Sequence, residues 1–447
     1  MSWKKIIALI ALLVVLMVAV FLVDRKEAEK AKSEGKLYTL TADRVQKIEI
    51  QRRDEVYLFT RTGGEWKLEK PIQAKADKIA VENIVDQFAA LKYERSVEKV
   101  AVDLAKYGLD QPRIRVSLFE EKAEKPAYTV LIGIQNEMDQ TSYATLAAGG
   151  EVVLVGSTQV TSLEKGVFDF RDKKFMGMES GDIDRFSYRR EGVEIAFQKK
   201  DARWLLEKPV LSLAEESKVS DILYKASALE AKSFKGTIAA DKLSDYGLDQ
   251  PILEAEFRVK GTARTVKVGE KGETFYALAP HFGEVCEIDK DFAEKLSKEY
   301  EPFRSRKAAS FYAYDVREIQ YKSGPLEMNL KRNQENNWEW GKKTGKGSPD
   351  SEKVNSLLTA LEGLTAVSFV DSPDRSVAFP HRFDLQVEDY ASKARKTVTI
   401  LLSDLSGEAV FAKSPDFPYY LTVAKDILDK LPKKLADLEK ADTKENI

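Results

Sequence analysis

The 447-residue chain carries 71 basic and 73 acidic side chains, a formal net charge of −2, and one cysteine, Cys286. So even a balance leaves no excess charge to drive binding to nucleic acid or anionic lipid. A single cysteine excludes an internal disulfide, and a chain of this length buries cores without such staples.

Residues 1–5, with Lys4 and Lys5, read as a cytoplasmic N-terminus. Ile6 to Val23 holds no charged or polar residue. At about 1.5 Å per residue it covers roughly 27 Å, nearly the hydrocarbon core, and is expected to be a transmembrane anchor. A cleaved signal peptide is the alternative, but the run exceeds the usual apolar region of one and its Val-Phe-Leu-Val-Asp exit lacks a small-residue cleavage pattern. No cysteine directly follows the run, which excludes a lipoprotein anchor. Lys4 and Lys5 favour an inside N-terminus, whereas Arg25, Lys26, Lys30 and Lys32 oppose it. Signal-anchor logic leads to the expectation of a periplasmic or extracytoplasmic body on an inner membrane. Residues 24–36 are charged and read as a stalk.

The rest of the chain reads as three tandem repeats, 37–174, 175–309 and 310–434, followed by a charged, disordered tail at 435–447. Each repeat opens on a hairpin. Ile48, Ile50, Phe59, Trp66 and Pro71 align without a gap on Phe186, Tyr188, Phe197, Trp204 and Pro209, and Ile319, Tyr321, Leu330 and Trp338 follow in the third copy. Apolar and polar residues alternate, as in a strand with one buried face.

A helical period comes next. Ile84, Val85, Phe88 and Leu91 correspond to Ile222, Leu223, Ala226 and Leu229, then to Leu357, Leu358, Leu361 and Leu364. One apolar stripe per helix is expected to face the sheet instead of a partner or cofactor.

The sequence Tyr-Gly-Leu-Asp-Gln-Pro then stands in two copies, at Tyr107, Gly108, Leu109, Asp110, Pro112 and at Tyr246, Gly247, Leu248, Asp249, Pro251. Gly108 and Gly247 suit the left-handed residue that ends a short helix, with Leu109 and Leu248 packing back on Leu104 and Leu243. Asp110 and Asp249 are expected to accept backbone N–H groups, the alternative being a paired-carboxylate site. In the third copy the stretch Phe379, Pro380, His381, Arg382 lacks the glycine, so that copy is expected to end its helix differently.

Further strands are read at Thr129–Gly133, Thr265–Gly269 and Thr397–Leu401, and a tyrosine element at Tyr143–Ala144, Tyr276–Ala277 and Tyr420–Leu421, expected in the core and not in a ligand groove. Phe170, Arg171 and Lys173 join the first two copies, and Phe303, Arg304 and Arg306 the second and third. These are candidate docking connectors, for a neighbouring repeat or for a partner.

Catalytic and cofactor signals are weak. His281, His381 and Cys286 lack metal-ligand spacing. Gly341–Ser348 resembles a phosphate loop but its first gap is one residue short, and Gly347 follows Lys346 where serine or threonine belongs. No metal or cofactor is expected, and of the enzyme classes a two-carboxylate hydrolase is left standing.

The apolar N-terminus, the Trp-x-Leu-Glu-Lys-Pro ends at Trp66–Pro71 and Trp204–Pro209, and the Tyr-Gly-Leu-Asp-x-Pro motifs together resemble the bacterial domain-of-unknown-function 4340 family. The resemblance implies an envelope protein whose gene accompanies gliding-motility-type ABC transporters, acting beside the permease or ATPase complex. It brings no site residues with it. The expected fold is α+β: one N-terminal transmembrane helix followed by three repeats, each an antiparallel β-sheet with packed helices, forming an elongated molecule. The expected function is a non-catalytic docking scaffold of an ABC-type export or motility complex, the alternative a cell-envelope hydrolase with carboxylates between repeats.

Overall fold

The computed structural model describes residues 35–440 except 101, 201–202, 342–346, 372–375 and 390–392. The anchor at Ile6–Val23 and most of the stalk lie outside the described residues, as does most of Gly341–Ser348. No helix among the described residues is long and apolar enough to cross a membrane. The described residues form an α+β fold with three antiparallel sheets, of nine, nine and eight strands. The chain divides into two compact units, one reaching Phe175 and taking in Glu230–Phe234, the other holding Met176–Leu229 and everything from Lys235 onward.

In the first unit the strands are β1 (Val45–Arg52), β2 (Glu55–Thr62), β3 (Glu65–Lys70), β4 (Ala74–Lys75), β5 (Arg95–Glu98), β6 (Ile114–Glu120), β7 (Tyr128–Gln135), β8 (Ser142–Leu146) and β9 (Val152–Val155). Their spatial order is β4-β3-β2-β1-β6-β7-β8-β9-β5. Between β4 and β5 runs α1 (Lys78–Ala89), whose N-terminus is capped by the Asp77 carboxylate accepting from Ala80 N–H at 2.8 Å. Its stripe of Val81, Ile84, Val85 and Phe88 is buried in one cluster with Ile48, Ile50 and Phe59 of the sheet, as the periodicity predicts. The stalk's last residues join this unit: Lys36 bridges Lys92, and Tyr93 N–H reaches Gly35 O at 3.0 Å.

The second unit carries the same plan twice. Ile48 faces Phe59 and Leu118 in the first sheet, and Ile319 faces Leu330 and Leu385 in the third. Phe186 faces Phe197 and Phe257 in the second. A register shift recurs at Val45/Lys47, Ile183/Arg185 and Val316/Glu318. This bulge turns Val45, Ile183 and Val316 back into the core although their spacing breaks the alternation. The helices α2 (Glu216–Ser227) and α3 (Ser351–Glu362) bury the predicted stripes, and the Asp350 carboxylate caps α3. Among the described residues the third sheet has no counterpart of β4.

The third copy departs from its sequence reading in four places. Ile400 faces Phe383 as Val130 faces Val116, so the counterpart of Thr129–Gly133 is Thr399–Ser403 and not Thr397–Leu401. Ala412 faces Leu402 as Ala144 faces Ile132, so Phe411–Ala412 fills the place given to Tyr420–Leu421, which lies in the next strand. No helix precedes His381 among the described residues after Val370; His381 opens a strand, His381–Glu388, opposite Ser323. Finally, the chain is folded beyond residue 434. Leu435–Leu438 is a short helix, Leu438 is buried in the third core, and Lys440 N–H bonds Ser348 O. An amphipathic turn ending in a leucine was hidden there by its charged neighbours.

Candidate functional site

The Tyr-Gly-Leu-Asp-Gln-Pro motif works as a cover for the face of the sheet turned away from the helix. Gly108 and Gly247 are left-handed, at φ of 63° and 65°, and end short 3-10 helices. Leu109 N–H bonds Leu104 O, and Leu248 N–H bonds Leu243 O, each at 3.0 Å. Tyr107 and Leu109 pack with Leu131 and Val152 in a small cluster of their own. Tyr107 rests on Tyr143 with ring centroids 4.9 Å apart, and Tyr246 on Tyr276 at 5.0 Å.

The turn lies so close to its strand that a Cβ at Gly133 would fall 2.0 Å from Tyr107 O, and one at Gly269 would fall 2.3 Å from Tyr246 O. Ser403 replaces this strand glycine in the third copy, where the Tyr-Gly motif is missing too. The two glycines therefore belong to one device. Asp110 and Asp249 stand exposed, and backbone acceptance falls to Asp103, whose carboxylate takes Ala105 N–H at 3.0 Å. Pro112 and Pro251 lead into the following strands, Pro71 and Pro209 follow cis peptide bonds, and Trp66, Trp204 and Trp338 are buried.

The connectors are consumed inside the fold. Phe170 is fully buried edge-on to Phe59 at 5.1 Å, and its carbonyl accepts the Asp77 N–H that opens α1. Arg171, also buried, lies 3.6 Å over the ring of Phe234, a residue of the same unit. In the second unit Phe303 packs on Phe197, and its carbonyl accepts Glu215 N–H in the same way. Arg304 then stacks 3.8 Å from the Phe369 centroid and 4.7 Å from that of Tyr419, and pairs with Asp371 at 2.7 Å. Ser212 Oγ accepts from Arg304 Nε at 3.3 Å and bonds the Tyr419 hydroxyl at 3.2 Å. Burial pushes the Tyr419 phenol's pKa up, which keeps it neutral beside the guanidinium. Arginine suits the place because its flat, weakly hydrated head can stack and pair at once.

Phe170, Arg171, Phe303 and Arg304 are thus buried and not available to an outside partner, whereas Lys173 is half-buried over Phe168 and Arg306 is exposed. A third connector sits where a tail was expected. Asp350 N–H bonds Leu438 O at 2.7 Å, which sets Leu438 in the place of Phe170 and Phe303, and Glu439 in that of the arginines.

Two further surface features bear on function. A cleft of about 950 Å³ runs beside α3, with Lys353, Lys430, Lys433, Glu352 and Asp437 around Leu357 and Leu431. At the rim of the third sheet, His381 Nδ1 lies 2.9 Å from Ser323 Oγ and 3.0 Å from the Tyr321 hydroxyl, and its Nε2 lies 3.2 Å from Asp404 Oδ1. Sequence reasoning passed over this group, because the third copy was aligned on the missing motif and not on its strand. The signal was a histidine at the register position of Ile114 and Leu253.

No group of three or more His, Cys, Asp or Glu residues among those described could hold a metal ion. The hydrogen bond from Arg395 holds Glu388 below the usual carboxylate range, and Lys298 does the same for Glu191. Burial raises Asp384, but hydrogen bonds from Arg382 and Thr399 bring it lower still.

No curated protein matches the chain. Among solved structures, a DNA polymerase III subunit beta from Pseudomonas aeruginosa is 8% identical over 90% of this chain and 98% of that one, at a TM-score of 0.17. The same subunit from Borrelia burgdorferi, in complex with a natural product, is 9% identical over 89% and 96%, at a TM-score of 0.15. Scores so low carry no argument about fold or function. The model of a family described as a domain of unknown function matches residues 66–251 and again 204–385. Each match opens on a hairpin tryptophan, Trp66 or Trp204, and runs through a connector arginine and the phenylalanine under it. With most of its length inside these two matches, the chain belongs to the DUF4340 family.

Proposed function

We propose that the chain is a membrane-held accessory component of an ABC-type export or motility complex, anchored by Ile6–Val23, with its repeats outside the cytoplasm as a docking scaffold for the permease or ATPase assembly. One observation carries this reading: the residues that recur between copies are spent on building and fastening repeats. The tryptophans fill cores, the Tyr-Gly turns cover sheets, and Arg304 fastens the third repeat to the second. A body made this way offers surface and not a shared reactive set. The mixed-charge cleft beside α3 is the docking surface we favour, since Lys353, Lys430 and Lys433 surround apolar Leu357 and Leu431. A hydrolase acting through carboxylates draws no such support, because the carboxylates with displaced pKa, Asp139, Glu191, Asp384 and Glu388, lie low instead of being raised as an acid would be.

Deleting residues 1–24 is expected to release a folded, soluble body that no longer restores the phenotype of a null strain. Full restoration by this cytosolic version would remove the extracytoplasmic assignment.

A further inference from the structure

We propose that Ser323, His381 and Asp404 form an acyl-transfer site that cleaves unhindered carboxylic esters, an activity independent of the docking reading. The three residues come from neighbouring chain segments. Ser323 ends the strand Val316–Ser323, His381 begins the strand paired with it, and Asp404 follows the next strand, Arg395–Leu402. Ser323 and His381 face each other directly, and Leu402 faces His381 from the other side.

The same sheet positions in the other copies show what the fold requires there. Ser323 stands where Arg52 and Arg190 stand, and His381 where Ile114 and Leu253 stand, which are 1% and 0% exposed. Asp404, two residues past Leu402, takes the place of Ile134 and Glu270, two past Ile132 and Val268. Packing alone is satisfied by an aliphatic residue at the middle position. A histidine there gives up apolar burial, and a local departure of this kind marks a site with another task. In the same copy the residue opposite it becomes a hydroxyl, and the position two past Leu402 holds a carboxylate, as Glu270 does in the second copy; these are the partners an imidazole base needs.

The geometry fits the task. With its Nε2 proton directed to Asp404 at 3.2 Å, the ring presents an Nδ1 lone pair to the Ser323 hydroxyl at 2.9 Å. The Tyr321 hydroxyl, 3.0 Å from the same Nδ1, also holds the ring, and the two ring planes lie within 1° of parallel with centroids 6.4 Å apart. The Tyr321 side chain stacks in turn on Phe383 in the core, so the base is held on rigid strands. The His381 side chain is 15% exposed and that of Asp404 79%, which opens the group to water and substrate.

In the reaction, Ser323 Oγ bonds the ester carbonyl carbon while its proton passes to His381 Nδ1. The carbon–alkoxide bond then breaks, and the departing alcohol takes that proton. Water, activated by the same nitrogen, attacks the acyl-serine, releasing the acid and returning the serine proton. Asp404 positions the ring and stabilises it while it is protonated.

The test uses the full-length protein in mild detergent, with a fluorophosphonate probe, mass-spectrometric mapping of the adduct, and hydrolysis of p-nitrophenyl acetate. The expected adduct is on Ser323. Labelling and turnover should vanish in Ser323→Ala and fall about 100-fold in His381→Gln, the scale of a lost general base. Asp404→Asn, at an exposed side chain, should leave the melting temperature unchanged while slowing labelling at least about tenfold. An unlabelled Ser323, or equal labelling in folded Asp404→Asn and His381→Gln proteins, would overturn the proposal. Neither result bears on whether the protein co-purifies with a transporter.

Discussion

Replacing Asp371 with alanine is expected to destabilise the second unit by about 2–3 kcal/mol, whereas replacing Arg304 itself with methionine should cost less than about 1 kcal/mol. The asymmetry follows from burial. The Arg304 side chain is 1% exposed and that of Asp371 42%, so losing the aspartate strands a guanidinium between Phe369 and Tyr419 with its charge unmatched. Removing one partner of a fully buried pair costs about 3–5 kcal/mol, and the exposure of Asp371 lowers that range. Methionine takes the charge and its partner problem away together, keeps most of the stem's packing, and leaves Asp371 free to turn to water. Chemical denaturation of the wild type and both variants reads the difference. A methionine variant weaker than the alanine one would mean that stacking, and not pairing, fastens the seam.

Alanine at Gly133 or Gly269 is expected to cost about 3 kcal/mol or more. Neither glycine is left-handed, so the loss would not come from backbone conformation. It comes from the added methyl group, which would lie 2.0 Å or 2.3 Å from a carbonyl oxygen of the Tyr-Gly turn. Backbone on both sides leaves nothing that can move cheaply, which places these changes at the upper end of overpacking. In the third copy the equivalent change, Ser403→Ala, should cost only about 1 kcal/mol, the worth of the hydrogen bond that Ser403 Oγ accepts from Phe411 N–H at 2.9 Å. Thermal melts of the three variants give the comparison. Equal losses would separate the strand glycine from the turn.

What was legible in the sequence was what local chemistry dictates. Apolar residues at strand spacing gave the hairpins, the stripe at Ile84, Val85 and Phe88 gave α1, and Gly108 and Gly247 marked left-handed caps, found at φ of 63° and 65°. What was not legible depends on pairing across the sheet. The bulge at Val45/Lys47 inserts a residue whose cost and gain appear only against β6. Thr397–Leu401 looks like its counterparts in composition, yet the partner strand His381–Glu388 sets the register two residues on. Arg171 and Arg304 read as docking connectors, but their burial was not legible, because the phenylalanine rings they lie over are about sixty residues further along the chain. Of the Ser323, His381 and Asp404 group, the sequence displayed only a histidine without a metal partner.

The central claim, a scaffold that docks an ABC-type assembly from outside the cytoplasm, is tested most directly by purifying the tagged full-length protein from its native membrane in mild detergent and mapping cross-links by mass spectrometry. A permease and ATPase are expected in stoichiometric amounts, with cross-links from repeat lysines, Lys353, Lys430 and Lys433 among them. Recovery of the protein alone, under conditions that keep a control transporter intact, would contradict it.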